Sequence, residues 1–296
     1  MAVNAKLVKE LREITSAGMI DCKNALEASN DDIDKAIIWL RENGLSKAAK
    51  KADRIASEGI VLAKKEGNKV VILEVNSETD FVSKNEKFVK LINDIADCLL
   101  KQEPKDIESA LKLKLTKNET IEQACVSATA TIGEKISFRR FNIVTGGAND
   151  VVTLYNHSNS RVSTALLFSG KISPQDAYSV AMHTAAMGPK YISLDDVPKD
   201  FMDAEMHILK EQNKDNLVGK PENIVNKMMQ GKLSKRLSEV TLLEQDFVLD
   251  EKQKVSAFIK SKGAKLDVMV RYEVGEGIEK QVVDFAEEVA AQLKGK

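Results

Sequence analysis

Histidine and cysteine are the residues of this chain best suited to catalysis or metal binding, and both are scarce and scattered. His157, His183 and His207 fall in three separate segments, without the paired carboxylate or nucleophile pattern that a proton relay needs. His183 and His207 sit inside helical patterns, where a packed or a surface ring is the default. His157 sits on a hairpin turn, where a partner contact and a solvated loop are equally consistent. Cys22, Cys98 and Cys125 never form a CxxC pair, which argues against a zinc site or a disulfide framework and for buried structural thiols in a reducing compartment. No GxxxxGK[ST] phosphate loop, HExxH or GxSxG elbow occurs. The "GEG" at Gly275–Gly277 follows a strand pattern, but Lys280 stands where a GxGxxG fingerprint has its third glycine, which leaves a plain strand-to-helix turn. No cofactor or metal is expected, and the chain reads as a non-enzyme.

The informative residues are apolar ones at turns. "VNSETDFVSKNEKF", residues 75–88, sets Thr79, Asp80, Phe81 and Val82 between a strand pattern and a helix pattern, and "SAGMIDC" sets Met19 and Ile20 at the start of a short helix. A large apolar side chain at a turn either plugs a local core or contacts a protein partner. Composition does not separate the two.

Hydrophobic periodicity sets out the elements that hold these residues. Leu7, Val8, Leu11 and Ile14 share one side of a first helix, "MIDCKNALEA" makes a second, and Ile33, Ala36, Ile37 and Leu40 mark a third, with Asp31 and Asp32 at its start and Gly44 just past its end. The basic "LSKAAKKADRIASEG" then reads as a solvated linker, with RNA contact through Lys47, Lys50, Lys51 and Arg54 the less favoured account. Two β-branched runs around "KEGN" predict a hairpin. Phe88, Ile92, Ile95 and Leu99 recur at helical spacing, so "NEKFVKLINDIADCLL" is an amphipathic helix on that hairpin. A Ser83/Glu86 capping box or an earlier start at Thr79 would begin it, with Asp80 and Phe81 at its entrance either way. A helix over "NETIEQACVSATATIG" and a strand "KISFRRFNIV" precede a second hairpin plus helix: strands around "NHSNS", then "SPQDAYSVAMHTAAMGP". Two helices broken at Gly219–Pro221 suggest a helical hairpin, alternation from Leu266 to Val274 a strand, and "IEKQVVDFAEEVAAQL" a last helix.

The 296 residues are 43% hydrophobic, enough for more than one core, and 44 basic against 45 acidic side chains leave no overall field toward nucleic acid or an anionic membrane. The charged N-terminal helix lacks the apolar core of a secretory signal and no run is long enough to span a bilayer, so the cytoplasm is the expected location. The fold class is α+β. Its expected segments are 1–54, helical; 55–145, the first strand-and-helix unit; 146–199 with 241–274, the second; 200–240, the helical hairpin; and 275–296, a C-terminal helical module.

"LREITSAGMIDCKNAL" and "EVNSETDFVSK", supported by "IGEKISFRR", "AMHTAA" and "RYEVGEGIEK", resemble the bacterial elongation factor Ts family, nucleotide exchange factors of the GTPase elongation factor Tu. The likeness runs from the first helix to the last. It implies a ubiquitin-associated-like N-terminal domain, a core of two related subdomains, a protruding coiled-coil-like hairpin and a C-terminal helical module. It further implies that Thr79, Asp80, Phe81 and Val82 approach the partner's nucleotide site and help dislodge its Mg2+, while Lys9, Arg12, Met19 and Ile20 grip the GTPase domain. Ile132, Gly133, His157, Val248 and Leu249 would add contacts to the same partner. Ser16 stands where the family commonly has glycine, and "SNSRVSTAL" lacks the glycines usual in that hairpin. No nucleic acid is needed for that role, and a homodimer or 2:2 complex stays open. The alternative class is an RNA- or ribosome-binding protein without exchange activity.

Overall fold

The apolar stripe of the first segment becomes three helices, α1 (Ala5–Thr15), α2 (Met19–Ala28) and α3 (Ile33–Ala49), in the computed structural model, which describes residues 4–15 and 17–279. They bury Leu11, Cys22, Ala25, Leu26 and Ala36 in one small core, with Leu7, Ile33, Ile37 and Leu40 at its margin. Asp32 caps α3 by accepting from the Lys35 N–H at 3.0 Å.

Strands β1 (Glu58–Glu66) and β2 (Lys69–Ser77) flank a turn in which Gly67 takes a φ of 59°. β2 is buried from Val70 to Ser77, as suits the central strand of a sheet ordered β1-β2-β3, where β3 is Ser137–Thr145. Between β2 and β3 in sequence come α4 (Glu86–Gln102), the short α5 (Ile107–Leu111) and α6 (Ile121–Ile132). The predicted stripe of α4, Phe88, Ile92, Ile95 and Leu99, is buried. Its start differs from the expected one. Asn85 is the cap, accepting from the Lys87 and Phe88 N–H groups at 3.0 and 3.4 Å, while the Ser83 hydroxyl turns back to the Asp80 carbonyl at 2.6 Å and so forms no capping box with Glu86.

Gly44 departs from the helix-end position expected of it. It does not end α3, which runs on to Ala49 and takes the first residues of the expected linker into the helix. A Cβ at Gly44 would lie 3.1 Å from the Ala130 Cβ, so the missing side chain lets α3 lie close against α6.

Next, β4 (Asp150–Asn156) and β5 (Val162–Gly170) pair antiparallel in unbroken register from Asp150↔Ser169 to Asn156↔Ser163. α7 (Pro174–Met187), capped by Ser173 and ended by Gly188, packs on both. α8 (Lys199–Gln212), the single turn α9 (Lys214–Leu217) and α10 (Glu222–Val240) follow. α8 and α10 lie side by side, joined by Arg236 and Glu205 at 3.2 Å. A ribbon of β6 (Asp246–Phe247) and β7 (Asp250–Lys254), and then α11 (Val255–Ser261), were not legible in the sequence. β8 (Ala264–Glu273) joins the sheet β4-β5-β8.

The fold is α+β. By internal contacts it divides into one unit made of the chain up to Leu62, Leu73–Phe141 and the chain from Glu273, and another made of Ala63–Ile72 and Asn142–Tyr272. The second unit's core gathers Leu166, Phe168, Val180, Leu242, Phe247 and Ile259.

In the first unit, Glu74 is fully buried and accepts from Arg139 at 3.0 Å, Arg140 at 2.6 Å, Asn76 at 2.9 Å and the Gly275 N–H at 2.8 Å. Burial pushes its carboxyl upward, but the Gly275 N–H, Asn76 and Arg140 outweigh that and hold it below the ordinary carboxylate value. Gly275, of the "GEG" stretch, is thus a turn residue at a φ of 74°, where a Cβ would fall 2.2 Å from the Ser57 carbonyl oxygen. The helix expected over "IEKQVVDFAEEVAAQL", and most of the 275–296 module with it, lies outside the described residues. Among the described residues no helix is long and apolar enough to cross a membrane, and no group of His, Cys, Asp or Glu could hold a metal ion.

Candidate partner-binding site

β2 ends at Ser77, and Thr79, in extended conformation, leads into a single 3-10 turn, Asp80–Lys84. Asp80 and Phe81 therefore ride on a separate turn ahead of α4, not on its first residues. Within that turn Val82 points inward at 5% exposure while Phe81 is 81% exposed, with Asp80 exposed beside it. Phe81 is no core plug.

A 3-10 turn this short has poor backbone bonding of its own, so its ends must be fixed from outside. At the far end Val82 is buried and its carbonyl accepts from the Asn85 N–H at 2.9 Å. At the near end the anchors come from the segment after α6, where Gly133 adopts a left-handed conformation and releases the chain from the helix. Glu134 then accepts from the Thr79 N–H at 2.8 Å and from the Thr79 hydroxyl at 2.6 Å. Reciprocally, Glu78 accepts from the Lys135 N–H at 2.6 Å. The Ser77 hydroxyl donates to the Thr79 carbonyl at 2.8 Å.

Residues of the expected linker complete this joint. Arg54 pairs with Glu78 at 3.1 Å, Lys51 donates to the Gly133 carbonyl, and the Lys135 ammonium donates to the Ala52 and Arg54 carbonyls at 2.5 and 2.9 Å. Ile132, half-buried, and Gly133, exposed, stand at its edge. Glu134 escaped the sequence reading because a lone carboxylate past a helix end looks like any solvated charge; its place in "IGEKISFRR" was the one available signal.

A second surface lies on α1 and α2. Met19 and Ile20 are 60% and 75% exposed and, with Val8, wall a groove of about 450 Å³ that Lys9, Arg12 and Lys23 line with positive charge. The buried thiols behave differently from these open side chains: Cys125 is pushed up to about 12 by burial, and Cys22 is raised for the same reason. Cys98 departs from the expected buried thiol, being half-exposed on α4.

In the second unit His157 is exposed at the β4–β5 turn, its ring Nδ1 2.9 Å from Asn159 Oδ1 and its backbone N–H donating to the Val162 carbonyl at 2.9 Å. Val248 and Leu249 are exposed at the β6–β7 turn. That turn is fixed from beneath by His183, for which the helical pattern alone predicts a packed or a surface ring. His183 is fully buried, its Nδ1 accepts from the Val248 N–H at 3.2 Å, and its Nε2 lies 3.0 Å from Gln245 Oε1. Nδ1 must be bare to accept, so Nε2 carries the proton and donates to Gln245. Burial lowers the pKa of His183, only partly opposed by the Gln245 bond, and keeps the ring neutral.

Phe81, Met19, Ile20, Val248 and Leu249 are thus large apolar side chains left exposed at turns or helix starts, with the turns of Phe81 and Val248 anchored by polar side chains. A family model described as Elongation factor TS matches residues 78–276. A curated relative, Elongation factor Ts of Spiroplasma citri, is 48% identical over 295 residues, which span 99% of this chain and 99% of the relative. The chain belongs to the elongation factor Ts family.

Proposed function

We propose that this member of the elongation factor Ts family binds elongation factor Tu carrying GDP in the cytoplasm and promotes GDP release and exchange for GTP by disturbing the Mg2+ and phosphate site. A GTPase holds its nucleotide through a phosphate loop and a Mg2+ that neutralises phosphate oxygens, so displacing either weakens GDP without any covalent step. Phe81 is the wedge: a ring already out in solvent gains on the order of 2–3 kcal/mol when a partner buries it. Asp80 brings negative charge to a site built around a cation and anionic phosphate, and Thr79 and Val82 set the pair in place. The single observation behind this assignment is the 81% exposure of Phe81 on an anchored turn.

The groove of Lys9, Arg12, Met19 and Ile20 is the grip on the GTPase domain, and Ile132, Gly133, His157, Val248 and Leu249 extend the contact. In family terms α1–α3 are the ubiquitin-associated-like domain, and β1–β3 with α4–α6 and β4, β5, β8 with α7 are the two related subdomains. α8 and α10 are the helical hairpin, which is the candidate element for a homodimer or a 2:2 complex. No bond of the nucleotide is made or broken, so the chain is a catalyst of exchange and not an enzyme in the covalent sense. Cellular GTP excess gives exchange its direction.

Release of a fluorescent GDP from purified elongation factor Tu tests this reading. The intact chain should speed release, and replacing Met19 and Ile20 together by alanine should raise the concentration needed for half-maximal effect. Unchanged release, together with salt-sensitive RNA binding, would favour the RNA-binding alternative.

A further inference from the structure

We infer that Glu134 is a positioning residue for nucleotide exchange, acting through Thr79 to fix the turn that carries Asp80 and Phe81; the inference rests on the reading of that turn given above. Phe81, 81% exposed, has little packing to orient it, so its direction is set chiefly by the backbone beneath it. That backbone is a five-residue 3-10 turn, Asp80–Lys84, a helix type whose hydrogen bonds are poorly aligned. Its entry residue, Thr79, gives both its backbone N–H and its hydroxyl to one carboxylate, that of Glu134, at 2.8 and 2.6 Å. Two bonds to one planar group fix orientation as well as position, because a swing of Thr79 that keeps one bond breaks the other.

The joint is reciprocal. Glu78 takes the Lys135 N–H at 2.6 Å, so two consecutive residues on each side exchange carboxylate and amide, and the strand end and the end of α6 cannot slide past each other without losing both. Arg54 at 3.1 Å from Glu78 ties a third segment into the same place. A wedge works only if it arrives in the geometry its partner must yield to, so this joint governs how fast bound factor expels nucleotide more than how tightly it binds.

The test is the rate of fluorescent GDP release from elongation factor Tu measured over a range of factor concentrations, which separates the maximal rate from the half-saturating concentration. Glu134→Ala and Thr79→Val should each lower the maximal rate by about tenfold and move half-saturation by less than about twofold. The double variant should be little slower than either single one, since both remove the same joint. Glu134→Gln should recover most of the rate, because its amide oxygen still accepts from the Thr79 N–H and its amide nitrogen can donate to the hydroxyl oxygen. Urea unfolding of Glu134→Ala and Thr79→Val guards against a rate lost through poor folding: a midpoint near wild type with a lowered maximal rate supports the positioning role, and a rate that falls only in step with the midpoint overturns it. Phe81→Ala is run beside them. If Phe81→Ala is slow while Glu134→Ala and Thr79→Val exchange at the wild-type rate, the positioning role is overturned and the turn's own role survives. If Phe81→Ala is itself wild type, the reading of the turn falls and this inference with it.

Discussion

Phe81 and Val82 are neighbours of similar apolar character with opposite fates, one 81% and the other 5% exposed. The residue pattern marks Phe81 as an apolar side chain at a turn and only the family resemblance points it outward, because the orientation depends on Asn85 capping α4 and on Glu134, which lies 55 residues beyond Thr79. No periodicity spans such a gap. His183 was hidden for the same reason: "AMHTAA" shows a helical histidine, and only the fold brings the Val248 N–H and Gln245 to its two nitrogens. Its folded pKa is lowered from the ordinary 6.5. Above 6.5 both folded and unfolded chains carry a neutral ring and no stability is lost; as pH falls below 6.5 the unfolded chain takes the proton first, and stability declines until the folded value is passed. The urea midpoint should therefore drop as pH is lowered from about 7 to about 5.5, and His183→Gln should flatten part of that slope. An unaltered slope in the variant would mean that His183 does not carry this titration.

At the scale of elements, the long ones were legible and the short ones were not. α4 announced itself through Phe88, Ile92, Ile95 and Leu99, a stripe that only a helix buries on one side. β6 has two residues, too few for any alternation, and its existence follows from tertiary pairing with β7. Gly44 misled because a glycine after a helical pattern usually ends it, whereas here close packing against Ala130 retains a glycine inside α3. The start of α4 was misjudged by two residues of capping chemistry: Ser83 and Asn85 are both good caps, and the Ser83 hydroxyl is already committed to the Asp80 carbonyl. Asn85→Ala should cost about 1 kcal/mol of stability in denaturant unfolding, and Ser83→Ala less than half of that. Equal losses would return the cap to Ser83.

For the whole molecule, the sequence supplied the α+β class, most elements and the family, while the polar joints that hold exposed side chains in place came only from the structure. Glu74 shows the kind of information that is lost in one dimension: in "ILEVN" it interrupts a strand, yet in the fold it gathers Arg139, Arg140, Asn76 and Gly275 around one buried carboxylate. Removing it would leave two arginines without their buried partner, and Glu74→Ala should cost on the order of 3 kcal/mol in denaturant unfolding, whereas loss of a surface ion pair such as Lys90–Asp94 should cost less than about 1 kcal/mol. Exchange itself is a property of two molecules linked thermodynamically: by whatever factor this chain weakens nucleotide on its partner, nucleotide weakens the chain's own binding. In the proposed role Phe81, exposed in the free protein, acts only against that partner. The most direct measurement is stimulated release of fluorescent GDP from elongation factor Tu by Phe81→Ala, with its thermal melting taken alongside. Release should slow by about tenfold or more, with the melting temperature within about 2 °C of wild type; release at the wild-type rate would remove Phe81 from the exchange step.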